Sequence, residues 1–158
     1  MKVISVLMMM MFFLISCESG NIAPHDTRYI DLSIRDIDNN DMLNPGNEHC
    51  FKENEIKIFY ETDGQKVEVF EANLRHPRYF YFYQYQEEYR IKIFLNPNHD
   101  EKSEYVVTYI KWNNVDEDTI KSVIKRQSKH TTVHTDILYN DSLIYSDILT
   151  ERYARIIK

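Results

Sequence analysis

From Arg28 onward the chain alternates between apolar and polar positions. Ile30, Leu32 and Ile34 alternate with Asp31, Ser33 and Arg35, the period-2 pattern of a strand with one face buried. Ile56, Ile58 and Tyr60 repeat it, and Val67 and Val69 follow Asp63-Gly64. Asp-Gly between two alternating runs predicts a tight hairpin, because such a turn needs positive φ twice. Tyr79, Tyr81, Tyr83 and Tyr85 alternate with Phe80 and Phe82, which predicts a strand with a tyrosine face and a phenylalanine face. Ile91, Ile93 and Leu95 form another strand, with Arg90, Lys92 and Phe94 opposite, ending at Asn96-Pro97-Asn98. Tyr105 to Trp112 is a long apolar run, predicted to be central, with Trp112 in the core. Ile120 to Lys125 fits a strand or a helix, and its neighbours favour the strand. Val133–Tyr139, Asn140-Asp141 and Ser142–Tyr145 read as a second hairpin, and Tyr153–Ile157 as the last strand.

Some eight or nine short strands, spaced about 8–12 residues apart with no convincing long helix, predict an all-β chain. The expected architecture is a single antiparallel β-sandwich over 28–158. Composition agrees: 12 tyrosines and 8 phenylalanines favour strands, and 3 glycines and 4 prolines are too few for a flexible linker.

The first residues do not fit this pattern. Met1-Lys2 is followed by a run from Val3 to Ile15 that is apolar except for Ser5. A basic start, a short apolar stretch and small residues near a cut predict a secretory signal over 1–16. The run stops at Ser16-Cys17-Glu18, short of the roughly 20 apolar residues a membrane span needs. Leu14-Ile15-Ser16-Cys17 resembles the lipobox of bacterial lipoproteins. The resemblance implies cleavage between Ser16 and Cys17 and a diacylglycerol on the Cys17 thiol. The membrane is then a partner through that lipid, and 17–27 is a polar tether. Within it, the nine residues Glu18–Asp26 reach at most about 30 Å when extended, which keeps the domain near the membrane surface. With Cys17 lipidated, Cys50 is left without a disulfide partner in its own chain.

Charge narrows the partners. The chain carries 19 basic and 25 acidic side chains, net −6, with no basic stripe, so no nucleic-acid partner is expected. The densest polar cluster runs from Asp36 to Asn44. Asp36, Asp38 and Asn40 match the first three ligand positions of a calcium-binding EF-hand loop. Asp41 stands where that loop needs glycine, Asn47 stands where it needs a bidentate glutamate, and no helix flanks it. The alternative is an Asx-rich turn. His130 and His134 share a face in a strand but lie about 13 Å apart, too far to share a zinc ion, and are expected to be solvated. The sequence shows no familiar nucleophile motif or phosphate loop. The stripe Tyr79, Tyr81, Tyr83, Tyr85 is a candidate binding face, and sheet packing is its alternative.

Asp36-Ile37-Asp38-Asn39-Asn40-Asp41-Met42-Leu43-Asn44-Pro45 resembles a stretch of small outer-membrane lipoproteins of the Bacteroides type. Tyr109-Ile110-Lys111-Trp112-Asn113, Asp118-Thr119-Ile120 and Tyr139-Asn140-Asp141 are similar to their later segments. The resemblance implies an immunoglobulin-like or transthyretin-like β-sandwich on the outer membrane, with no assigned activity. The expected function is a lipid-anchored, non-catalytic binding or accessory module of the cell envelope, with a protein or glycan partner. Two alternatives stand beside it: a glycosidase-like hydrolase with carboxylates dispersed in sequence, and a calcium-stabilised structural module.

Overall fold

A computed structural model of the protein describes residues 27–98, 103–126, 132–149 and 151–158. The signal segment 1–16, Cys17 and the tether as far as residue 26 lie outside the described residues, as do His25, His99 and His130.

The described residues form ten strands: β1 (Tyr29–Arg35), β2 (Lys57–Thr62), β3 (Gln65–Glu68), β4 (Phe80–Tyr85), β5 (Glu88–Phe94), β6 (Tyr105–Lys111), β7 (Glu117–Arg126), β8 (Thr132–Tyr139), β9 (Ser142–Tyr145) and β10 (Tyr153–Ile157). They form two packed sheets, ordered β10-β1-β5-β4 and β3-β2-β6-β7-β8-β9. The chain is therefore an all-β sandwich. The 120–125 segment is strand, inside β7, and β6 is central, between β2 and β7.

Two details differ from the expected pattern. There are ten strands, and β10 runs parallel to β1, with Asp31 opposite Tyr153 and Arg35 opposite Ile157. The parallel pair arises because the chain leaves β9, crosses to the other sheet and enters at the end where β1 begins. There the Asp31 amide donates to the Arg152 carbonyl at 2.9 Å.

Both predicted hairpins have the required backbone. Asp63 and Gly64 sit at φ 53° and 73°, and Asn140 and Asp141 at 48° and 65°. A third tight turn, with Gln86 at φ 53°, joins β4 to β5. It lacks the Asx-Gly signal and was not legible in the sequence.

Alternation sorts the side chains. Ile30, Leu32, Ile34, Phe80, Ile91 and Ile93 of the smaller sheet face Ile58, Tyr60, Ile110, Ile120, Ile137 and Tyr139 of the larger one, all buried in one cluster. Trp112 is fully buried, and Phe51 stacks on it with ring centroids 4.8 Å apart. Burial of this kind contributes about 25 cal/mol per Å² of apolar surface and is the main term holding the sheets together. It also leaves the opposite face of the four-stranded sheet to be built from the intervening residues.

Candidate functional site

That outer face carries the polar members of each alternating run. Cross-strand register puts Tyr153, Asp31, Lys92 and Tyr81 in one row across all four strands. Tyr83 lies opposite Arg90 and Tyr85 opposite Glu88 in the rows beside it. Tyrosines and charges therefore interleave in two dimensions.

The cations lie over tyrosine rings. The Arg90 guanidinium carbon is 4.0 Å from the Tyr85 ring centroid and 3.7 Å from that of Tyr153. Lys92 Nζ sits 3.4 Å from the Tyr29 centroid, and Arg152 covers Tyr145 at 4.4 Å. Such contacts are worth about 0.5–2 kcal/mol each, depending on desolvation, and they immobilise both partners. Ion pairs fix the cations further. Lys92 Nζ donates to Asp31 Oδ2 at 2.8 Å, and Arg90 Nε to Glu88 Oε1 at 2.7 Å. Glu88 Oε2 also accepts from Arg155 Nη2 at 3.1 Å.

The titration shifts follow from this geometry. Burial alone would raise the Glu88 pKa, but its bonds to Arg90, Tyr153 and Arg155 outweigh that, and the carboxyl is held below the usual range. Burial would lower that of Arg90, and Glu88 reverses the sign. The Tyr83 phenol is pushed up, by burial first and then by the charge of Asp31.

A hollow of about 390 Å³ lies in this face, where Tyr81 and Tyr83 meet Arg90, Lys92 and Tyr153. Tyr81 and Tyr83 are half-buried and Tyr85 is exposed. Three of the four expected tyrosines are thus brought together. Tyr79 is not with them. It precedes β4 at φ 62°, packs edge-on against Tyr60 at 5.6 Å, and donates its hydroxyl to Glu71. The positive φ breaks the alternation before the strand begins.

Sequence reasoning missed Tyr29, Arg152 and Tyr153 as members of this face. Tyr153 opens β10 and Arg152 immediately precedes it, and the parallel pairing of β10 with β1 leaves no local signal. Arg90 and Lys92 were visible opposite Ile91 and Ile93, but not their partners across the sheet.

The other candidates lie elsewhere. Asp36 takes its carboxylate into its own loop: Oδ1 accepts from the amides of Asp38 at 3.0 Å and Asn40 at 2.7 Å, and Oδ2 from Asn40 Nδ2 at 2.8 Å. That is Asx-turn geometry, and those bonds hold its pKa below the usual value. Asp38 and Asn40 are exposed beside it. Among the described residues no group of three or more histidine, cysteine, aspartate or glutamate side chains converges as a metal site would require. His134 is not solvated. It is 3% exposed, with Nδ1 2.8 Å from Ser122 Oγ, because the bulge between Ser122 and Ile124 turns it inward. Cys50 is half-buried beside Phe51 and Phe82, in a hollow of about 680 Å³.

Asp118 anchors a second polar cluster, inside the fold. It accepts from Trp112 Nε1 at 2.6 Å, Tyr139 Oη at 2.5 Å and Asn140 Nδ2 at 2.6 Å, and it pairs with Lys158. Burial would raise its pKa, but Lys158 and these donors bring it below the ordinary value. Among the described residues no helix is long and apolar enough to cross a membrane. Compared with known protein families, with curated proteins and with solved structures, the chain shows no significant match.

Proposed function

We propose that this chain is an exported, lipid-anchored binding module of the cell envelope, without catalytic activity, that holds its partner on the tyrosine face of the four-stranded sheet. One observation carries the reading: the hollow of about 390 Å³ gathers five tyrosines with Arg90, Lys92 and Arg152 against the acids Asp31 and Glu151. That local excess of cations sits on a chain with net charge −6.

Rigid aromatic rings offer contact area at little entropy cost, and sugar C–H groups pack on them. Fixed cations add charge-assisted hydrogen bonds. The partner class that fits best is an acidic envelope glycan. A glycosidase needs one carboxyl with a raised pKa facing substrate, whereas Glu88, the carboxyl paired with Arg90 on this face, is held low and locked to Arg90 and Arg155, which supports the non-catalytic reading.

The anchor rests on the sequence Leu14-Ile15-Ser16-Cys17. Fatty-acid labelling in cells should mark the wild type and leave Cys17→Ser unlabelled; equal labelling would end that part of the reading. Binding is tested by calorimetry with acidic and neutral envelope oligosaccharides. Acidic chains should bind the wild type, and Lys92→Gln should weaken them about tenfold, or about 1.4 kcal/mol. Equal binding of neutral chains, unaffected by the substitution, would refute the acidic-glycan reading.

A further inference from the structure

The smaller sheet ends at β4, whose only strand partner among the described residues is β5. Closed by the two-residue turn Gln86-Glu87, the hairpin makes Tyr85–Glu88, Tyr83–Arg90 and Tyr81–Lys92 its hydrogen-bonded pairs. The bond from the Phe94 amide to the Tyr79 carbonyl, 2.9 Å, continues that alternation. The N–H and C=O groups of Phe80, Phe82 and Gln84 therefore point away from the sheet. No bond between the backbone of the neighbouring 50–55 segment and this edge is formed among the described residues.

Sheet edges are normally blunted by short strands or by charge. β3 is four residues long, is exposed throughout and carries Lys66 and Glu68. β9 is also four residues long, and β10 carries Arg155. β4 has neither protection: its six residues, Phe-Tyr-Phe-Tyr-Gln-Tyr, hold no charge. Hollows of about 540 and 680 Å³ flank it, one at Phe80 and Tyr81 and the other at Phe82 and Gln84.

We infer that β4 pairs antiparallel with β4 of a second copy of this chain, joining two four-stranded sheets into one. The outward groups fix the register. A two-fold axis at Phe82 sets it against itself and sets Phe80 against Gln84 of the second copy, which gives about six backbone hydrogen bonds. Tyr81 then lies opposite Tyr83 of the second copy, a cross-strand aromatic pair made twice. The contact is isologous and closes at two. It extends the tyrosine faces of both copies into one surface, and it depends on the edge alone, whatever that face binds.

The test is hydrogen exchange and sedimentation of the full chain in detergent over a concentration series. The amides of Phe80, Phe82 and Gln84 should become protected as dimer forms, while those of Gln65–Glu68 on β3 should not. Gln84→Pro removes one outward N–H without touching a bond to β5, and Gln84→Lys adds charge to the edge; both should give monomer with unprotected amides. A monomer at every concentration would overturn the inference. So would a dimer that survives both substitutions, or protection of these amides only when a different protein is added.

Discussion

The indole Nε1 of Trp112 donates to Asp118 Oδ2 at 2.6 Å, inside the sandwich. Both residues are buried, and Tyr139, Asn140 and Lys158 complete the shell around the carboxylate. Asp118→Ala would leave buried donors without an acceptor and Lys158 without its partner. The substitution should cost about 3–5 kcal/mol in denaturant unfolding. A loss below about 1 kcal/mol would mean that water replaces the carboxylate at no cost.

The pH dependence follows from the same group. The folded Asp118 and Glu88 carboxyls lie below their ordinary values of 3.8 and 4.5. A depressed folded pKa contributes stability that is fully present above the unfolded value and is lost as pH falls towards the folded one. Thermal stability should therefore be flat above about pH 5 in this respect and fall below it. Asp118→Asn should flatten that acid limb as well as lower the plateau; an unchanged acid limb would show that Asp118 does not drive it.

Phe80 and Phe82 share the inner side of β4, but only Phe80 is fully in the core, at 3% exposure. Phe82 borders the hollow beside Cys50. Phe80→Ala should cost about 3–5 kcal/mol in equilibrium unfolding, and Phe82→Ala clearly less. Equal losses would place both rings in the core.

Most of the fold was legible because half-burial writes itself into alternation. Ile30, Leu32 and Ile34 announced β1, and Asp63-Gly64 and Asn140-Asp141 announced their hairpins. What the sequence could not disclose was partnership. β10 pairs with β1 across more than a hundred residues, so Tyr153 gave no hint that its ring would meet Arg90. The tyrosine face was half-visible for the same reason: Tyr81, Tyr83 and Tyr85 lie on one strand, whereas Tyr29 and Tyr153 join through register. Tyr79 was assigned to that face because nothing in its composition marks a φ of 62°. His134 was expected in solvent because a bulge that inverts strand parity leaves no pattern to read.

Tyrosines on the outer face touch less of the core than the phenylalanines do. Tyr81→Ala and Tyr83→Ala should each shift stability by less than Phe80→Ala while weakening glycan binding about tenfold, or about 1.4 kcal/mol. Losses of stability matching that of Phe80→Ala would show both faces of β4 to be structural.

Mapping where a ligand sits tests the central claim most directly. Amide and side-chain NMR shifts would be followed while an acidic envelope oligosaccharide is titrated into the protein. The perturbed residues should cluster on Tyr29, Tyr81, Tyr83, Arg90, Lys92 and Tyr153, around the hollow in the four-stranded sheet. Perturbations confined to the Asp36–Asn40 loop or to β2 and β3, with those six residues unmoved, would contradict the assignment of the tyrosine face as the binding surface.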